Sequence, residues 1–183
     1  MTAQISDIFV LDGLEYQILG VGDSLVDPDD FGIKPVMMHT ACYRGFHSTF
    51  LLDGCIRLTR MIVRNSSGVY PDIDGISPSV ETASKIATYD GLAHPIRYSG
   101  RLALGKDFLP ERYVHMGYPP ETSFRRVLHL TCENGEVKEV ADVSEQVALR
   151  RENIGKEAQA SPSAARRRML DVEVEVVPYK KDR

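Results

Sequence analysis

Short apolar runs separated by Asp-Gly or Asn-Gly pairs dominate the hydrophobic pattern of this chain. In the stretch 45–64, two such runs flank Asp53-Gly54, and the second run alternates between apolar and polar positions. Asp-Gly and Asn-Gly are the preferred residues of type I′ hairpin turns, in which both central residues have positive φ. The pattern therefore predicts a central β-hairpin with one buried face and one wet face.

The same turn chemistry occurs twice more. Asp12-Gly13 separates residues 7–11 from 14–21, and Asn134-Gly135 separates 124–132 from 136–143. Short apolar runs at 36–42 and 99–109 predict two further strands. Three hairpin signals indicate antiparallel β structure as the main component of the fold.

Helical signals are short until the last quarter of the chain. Asp27-Pro28, followed by acidic residues and Gly32, has the capping pattern of a single helical turn. Residues 110–117 predict a second turn of this kind. The spacing of Val80, Ala83 and Ala87, which would fall on one side, predicts a modest helix at 79–88. The rest of 65–98 is rich in glycine and proline and predicts an irregular loop.

An acidic and aromatic turn, then glycine, proline and a hairpin, occur in this order twice. This repetition suggests a duplication with halves 1–66 and 95–143, joined by a loop at 67–94, within one globular β-rich domain at 1–143. Two similar sheets would then pack about a pseudo-twofold axis, with a cleft between them.

The segment 144–183 has a different character. Residues 144–159 open on Ser144, a candidate N-cap, and favour a helix, whereas 170–177 alternates strictly as an edge strand does. This helix and strand would pack on the domain or on a second subunit, where strand addition would make an oligomer. The predicted fold class is therefore mainly β to α+β, with antiparallel hairpins, short helices and a C-terminal helix plus edge strand.

Composition narrows the function classes. The net charge is −4 and the pI is near 5.7, which argues against a general nucleic-acid binder. Residues 1–143 have a net charge of −6 and residues 144–183 a net charge of +2. No signal peptide or membrane span is expected, and three cysteines without CxxC spacing suggest reduced thiols in the cytoplasm.

The densest set of side chains that could grip an anion lies between residues 112 and 129. Its predicted ligand-binding members are Arg112, Tyr113, Tyr118 and Arg125. His115 and His129 are the candidate acid–base pair, because imidazole titrates near neutrality. Arg125-Arg126 can equally be a solvated strand end.

Tyr43 and Arg44 precede the central hairpin and are added to the predicted ligand-binding residues. An exposed aromatic residue beside an arginine is typical of recognition hot spots. The same pair is equally typical of a core aromatic residue beside an arginine whose stem covers apolar surface.

Metal and nucleophile chemistry have weaker signals. His39, Cys42 and His47, with Cys55, have zinc-ligand chemistry but lack tight knuckle spacing, so they also fit core cysteines beside a partly buried histidine. A Cys-His nucleophilic pair has no local signature.

Two loop motifs are also weak. The stretch 70–81 departs from a calcium loop at its first ligand, which favours a solvated turn. Gly20-Val21-Gly22 is followed by acidic residues that would repel phosphate. No cofactor is predicted.

The absence of catalytic motifs favours a non-catalytic cytosolic binding or interaction protein. Such a protein would act through the cleft between its halves or by oligomerisation, with a protein partner or a small anionic ligand. The alternative is a small metal-independent enzyme that acts on a phosphate ester through a His, Arg and Tyr site.

Overall fold

Nine strands form one sheet in the computed structural model of this chain, which describes residues 2–19 and 24–160 but not the side chains of 156–160. One α-helix follows the last strand. The elements are β1 (Ile8–Leu11), β2 (Leu14–Leu19), β3 (Phe46–Asp53), β4 (Cys55–Arg64), β5 (Ser79–Glu81), β6 (Ile86–Pro95), β7 (Gly100–Phe108), β8 (Phe124–Glu133), β9 (Glu136–Asp142) and α1 (Ser144–Ala160). The predicted fold class, mainly β to α+β, is confirmed.

The strand order is β5-β6-β4-β3-β1-β2-β7-β8-β9. Neighbouring strands are antiparallel except for β1 and β3, which run parallel. The predicted hairpins are the pairs β1–β2, β3–β4 and β8–β9. The pairing of β2 with β7 joins the first part of the chain to the later strands.

The sheet curls until its two sides meet at the β8–β9 turn. Ile56 N–H at the start of β4 donates to the Gly135 carbonyl at 2.7 Å, and Gly135 N–H donates to the Tyr98 carbonyl at 2.8 Å. Four strands lie between β4 and β8 in the sheet order, so a flat sheet could not make this contact. Gly135 has φ of 84°, and a Cβ there would lie 2.1 Å from the Ile96 carbonyl oxygen. Only glycine fits this closure.

The concave face of the curl holds the main hydrophobic core. Alternate residues of most strands point into it, as the period of two in a β-strand requires. Its largest fully buried side chains include Phe9, Phe50, Leu58, Met61 and Tyr89. Burial raises the pKa of Tyr89 to about 12, and the Tyr89 hydroxyl donates to the Pro71 carbonyl at 2.6 Å.

The convex face of the sheet carries α1 over a small area. Val147 of the helix packs into a second cluster with Leu19, Ala103, Phe124 and Val127. Leu149 on the same helix is exposed. The predicted C-terminal helix is therefore confirmed. Val147 is the one buried apolar side chain among its described residues, and it anchors the helix to the sheet.

The start of α1 differs from the prediction. Ser144 is not the N-cap: its hydroxyl accepts a hydrogen bond from Val127 N–H at 3.0 Å and donates to Asp142. The Asp142 carboxylate accepts Ser144 N–H at 3.0 Å. These hydrogen bonds from Ser144 hold the pKa of Asp142 below its usual value. Aspartate therefore does the capping, two residues ahead of the predicted position.

The turn geometry matches the sequence in two of the three hairpins. Both central residues have positive φ at Asp12-Gly13 and at Asn134-Gly135. At Asp53-Gly54 only the glycine does, so that hairpin forms without the predicted type I′ torsions. The two short helical turns are also found, at Pro28–Phe31 and Pro110–Arg112.

Two predicted elements are wrong. Residues 36–42 do not form a strand, because Met38 N–H donates a hydrogen bond to the Cys42 carbonyl across a tight turn. This stretch therefore makes only isolated β-bridges. The helix at 79–88 is replaced by β5, a turn at Lys85 with φ of 54°, and the start of β6. Ala87 and Tyr89, two residues apart, are both fully buried, which is the alternation expected of a strand. The helical spacing in the same stretch masks this pattern in the sequence.

The segment 67–94, predicted as a loop, contains β5 and most of β6, and both halves contribute strands to one sheet rather than two. The duplication itself stays a prediction. The predicted strand at 170–177 and the glycines at 20 and 22 lie outside the described residues. None of the described helices is long and apolar enough to cross a membrane.

Gly105 on β7 offers a test of the packing under α1. A Cβ there would lie 2.7 Å from Phe124 Cγ and 2.8 Å from Leu19 Cδ1. We expect Gly105→Ala to lower the free energy of unfolding by about 1–3 kcal/mol, because these buried side chains must move. Chemical denaturation with a linear extrapolation measures the change.

The matched control is Gly155→Ala in α1, where a Cβ meets no atom within 4 Å. Its expected effect is neutral or stabilising by up to about 1 kcal/mol, because alanine favours helix. Equal losses of stability in the two variants would contradict the close packing at Gly105.

Candidate binding surface

The N-terminal segment holds two loops of the chain side by side. Gln4 N–H donates to the Gly117 carbonyl at 2.8 Å. The Gln4 side chain donates to the Thr40 carbonyl at 3.0 Å and accepts Tyr43 N–H at 3.0 Å. Ile5 N–H donates to the Ala41 carbonyl at 2.8 Å. Loops that are distant in sequence are thus fixed to one short segment.

Large apolar and aromatic side chains project from both loops. Tyr43 is 52% exposed, Met116 59%, Tyr118 38% and Tyr113 48%. We call these four residues the tyrosine surface. Tyrosine and methionine are enriched in protein interfaces, and exposed apolar side chains grouped on ordered backbone mark binding sites more often than scattered ones do.

A salt bridge between a buried carboxylate and a partly buried arginine lies next to this surface. Asp7 is 5% exposed and forms a salt bridge to Arg44 Nη2 at 2.5 Å. The same carboxylate accepts Ser48 N–H at 2.6 Å and the Ser24 hydroxyl at 3.0 Å. A buried carboxylate is tolerable only when it is paired and hydrogen-bonded in this way.

Arg44 is held from two more directions. Its Nε donates to the Phe46 carbonyl at 2.8 Å, and its guanidinium lies 4.6 Å from the Phe46 ring centroid. Burial raises the pKa of Tyr118, and the nearby charge of Arg44 opposes that change. The structure therefore brings three predicted ligand-binding residues, Tyr43, Arg44 and Tyr118, to one place and gives Arg44 a structural partner that the sequence does not reveal.

The predicted metal candidates surround the same ion pair. His39 is exposed in its tight turn, Cys42 is buried and donates weakly to the Phe46 carbonyl, and His47 is half-buried on β3. Burial lowers the pKa of His47, while Asp7 opposes that change. In the part of the chain that the structure describes, no three His, Cys, Asp or Glu side chains are grouped closely enough to hold a metal ion.

The calcium-like stretch folds as a tight turn. Asp74 and Gly75 both have positive φ, and Ile73 and Ile76 bridge across them. The Asp74 carboxylate pairs with His94 at 2.9 Å. This arrangement agrees with the solvated turn that the sequence favours at this place.

A second group of polar residues lies beside α1. Glu121 is buried, and its carboxylate lies 2.7 Å from His129 Nε2 and 3.3 Å from Arg150 Nη1. His115 instead packs edge-on against Tyr113, with ring centroids 5.3 Å apart. The two histidines of the predicted acid–base pair thus have separate partners, and no described contact joins them.

Arg151 completes this second group. Its guanidinium donates to the Thr122 carbonyl at 2.9 Å and to the Phe124 carbonyl at 2.5 Å. Burial lowers the pKa of Arg151, and nearby Arg112 and Arg125 lower it further. Two predicted ligand-binding residues, Arg112 and Arg125, therefore lie near Arg151 of α1. We call Arg112, Arg125, Arg150 and Arg151 the arginine cluster.

No protein-family model, curated protein or solved structure matches this chain. Function is therefore argued from the tyrosine surface and the arginine cluster themselves. Gln4, Asp7, Glu121 and Arg151 are not among the site residues that the sequence predicts. Each of them acts through a contact with a distant segment, and no local pattern signals such a contact.

The cysteines provide a test of the chemistry around the ion pair. Burial raises the pKa of Cys42 and raises that of Cys132 to about 11. Both are buried, whereas Cys55 is only half-buried. We expect a thiol reagent at pH 8 to modify Cys55 first and the other two slowly, because the thiolate is the reactive form. Peptide mass spectrometry of a labelling time course measures the order.

Cys55→Ser is the control and should abolish the fast phase. Fast modification of Cys42 in the native protein would contradict the raised pKa of its buried thiol and would support a nucleophilic Cys-His pair.

Proposed function

We propose that this chain is a non-catalytic binding protein that recognises a protein partner through the tyrosine surface. The observation that supports the proposal is the fixation of the 40–43 and 113–118 loops by Gln4. A surface whose backbone is already ordered loses less conformational entropy on binding than a mobile one.

The composition of the surface fits this role. Tyrosine offers a large contact area with few rotatable bonds. Methionine offers a flexible side chain that adapts to the shape of a partner. Arg44 is already neutralised by Asp7, so the centre of the surface has no unpaired charge to desolvate. A partner with an apolar contact face suits these properties better than a small charged molecule does.

The proposal includes two finer expectations. It places the protein in the cytoplasm, for which the three free cysteines give support. It also allows the partner to be a second copy of the chain, as the predicted homo-oligomer would require.

A metal-independent enzyme acting on a phosphate ester is the second candidate. The observation that favours it is the contact of His129 with buried Glu121. A carboxylate in this position would fix the orientation of the imidazole, as it does for a histidine that acts as a general base. His115, the predicted second member of the acid–base pair, contacts Tyr113 instead of this group. Turnover of a phosphodiester that is lost in His129→Ala would favour this candidate over binding alone.

Site-specific photo-cross-linking in cells tests the proposed interaction. A photoreactive phenylalanine analogue replaces Tyr43, Met116 or Tyr118 in separate variants, and Val69, which is 72% exposed elsewhere, is the control position. We expect all three positions to capture one and the same protein that Val69 does not capture. Adducts of the chain with itself at these positions would identify the partner as a second copy.

Affinity measurements with the purified partner complete the test. Tyr43→Ala should weaken binding about 30-fold, as loss of a hot-spot residue does, whereas Val69→Ala should leave the Kd unchanged. If the three positions capture nothing, or the same mixture as Val69, the proposal is wrong.

A further inference from the structure

The arginine cluster brings four arginines to the segment 121–125, and the charges of Arg112 and Arg125 act on Arg151 there. Arg112 belongs to the short helical turn Pro110–Arg112 after β7, Arg125 to the start of β8, and Arg150 and Arg151 to α1. The backbones are joined here: Ser123 Oγ donates to the Arg112 carbonyl at 3.0 Å, and Leu109 N–H donates to the Ser123 carbonyl at 2.8 Å. Arg151 binds the carbonyls of Thr122 and Phe124 from the other side.

The positive charge of the cluster is only partly balanced. Glu121 is engaged by His129 and Arg150. Arg151 uses its donors on neutral carbonyl oxygens, and it makes no salt bridge to a carboxylate among the described residues. Among the described residues, no carboxylate lies within 4 Å of the guanidinium groups of Arg112 or Arg125. Glu111 is the other acidic group close to Arg151.

A bound anion would lower the electrostatic repulsion among these arginines. An oxyanion placed against Arg112 and Arg125 would offset the repulsion that each of them exerts on Arg151. Guanidinium groups bind phosphate oxygens through paired N–H donors, and the anchored Arg151 and Arg150 fix the position of the cluster. The overall charge of −4 disfavours a long nucleic-acid strand as the source of that oxyanion.

We propose that the arginine cluster is a binding site for a phosphate group, held chiefly by Arg112 and Arg125 at the junction of α1 with the sheet. This site adjoins the tyrosine surface at Tyr113, the residue after Arg112, but uses none of the side chains of that surface. The proposal requires neither a protein partner nor any turnover. The phosphate can be free or can belong to a larger molecule.

Isothermal titration calorimetry on the full chain at constant ionic strength tests the site. The ligands are inorganic phosphate, pyrophosphate and, as the anion control, chloride. We expect saturable binding of one phosphate or pyrophosphate per chain and none of chloride. Tighter binding of pyrophosphate than of phosphate would point to a phosphate that belongs to a larger molecule, and the reverse to free phosphate.

Arg125→Gln and Arg112→Gln are the informative variants, because both side chains are outside the hydrophobic core. Each should weaken binding about tenfold or more, the usual loss for a charge-assisted hydrogen bond. Arg97→Gln, at an exposed arginine in the connection from β6 to β7, is the matched control and should bind as the parent chain does.

Circular dichroism and the thermal midpoint verify that the variants fold. Without added anion, their midpoints should be equal to that of the parent chain or higher, because a repulsive charge is removed. Equal weakening by Arg97→Gln would show general charge attraction, and the absence of saturation in the parent chain would show that no site exists. Either result would overturn the proposal.

Discussion

The salt bridge between Asp7 and Arg44 is the interaction on which the candidate binding surface depends. Taking a carboxylate out of water is costly, and this carboxylate is 5% exposed. It is stabilised by donors from β3, from the turn before β3, and from Ser24. Removing one partner of such a pair leaves a buried unpaired charge, at a cost of about 3–5 kcal/mol. Three segments of the chain are therefore positioned by one side chain.

The position of β1 in the sheet makes that arrangement possible. β1 lies between β2 and β3, so Asp7, just before β1, is at the centre of the sheet order. The residues before Asp7 leave the sheet and run between the two loops, where Gln4 supplies donors and an acceptor. These hydrogen bonds hold both loops to one segment, which is the physical basis of the proposed interaction.

Local features of the fold can be predicted from the sequence, and long-range ones cannot. Asp12-Gly13 and Asn134-Gly135 specify their turns because the torsions needed are those that asparagine, aspartate and glycine adopt most easily. Residues 36–42 look like a buried strand in composition but find no neighbouring strand to pair with. The helical spacing of Val80, Ala83 and Ala87 is overridden because β6 pairs with β4 along most of its length.

The candidate sites divide in the same way. The sequence predicts the ligand-binding residues as one class because their side chains suit recognition: Tyr43, Arg44, Arg112, Tyr113, Tyr118 and Arg125. The structure separates them into the tyrosine surface, with Arg44 next to it, and the arginine cluster. Asp7 and Glu121 escape prediction because an isolated acidic residue next to a strand is usually solvated. Their partners Arg44 and Arg150 are 37 and 29 residues away in the sequence.

Amide hydrogen exchange in Asp7→Asn measures whether the salt bridge positions these segments. The amides to follow are those of Gln4, Ile5, Tyr43 and Ser48, which bond across the N-terminal segment and its loops. If the salt bridge positions this region, all four lose protection together, and by more than the amides that pair β7 with β8. Loss confined to Ser48, or an equal loss throughout the sheet, would contradict this role of the salt bridge.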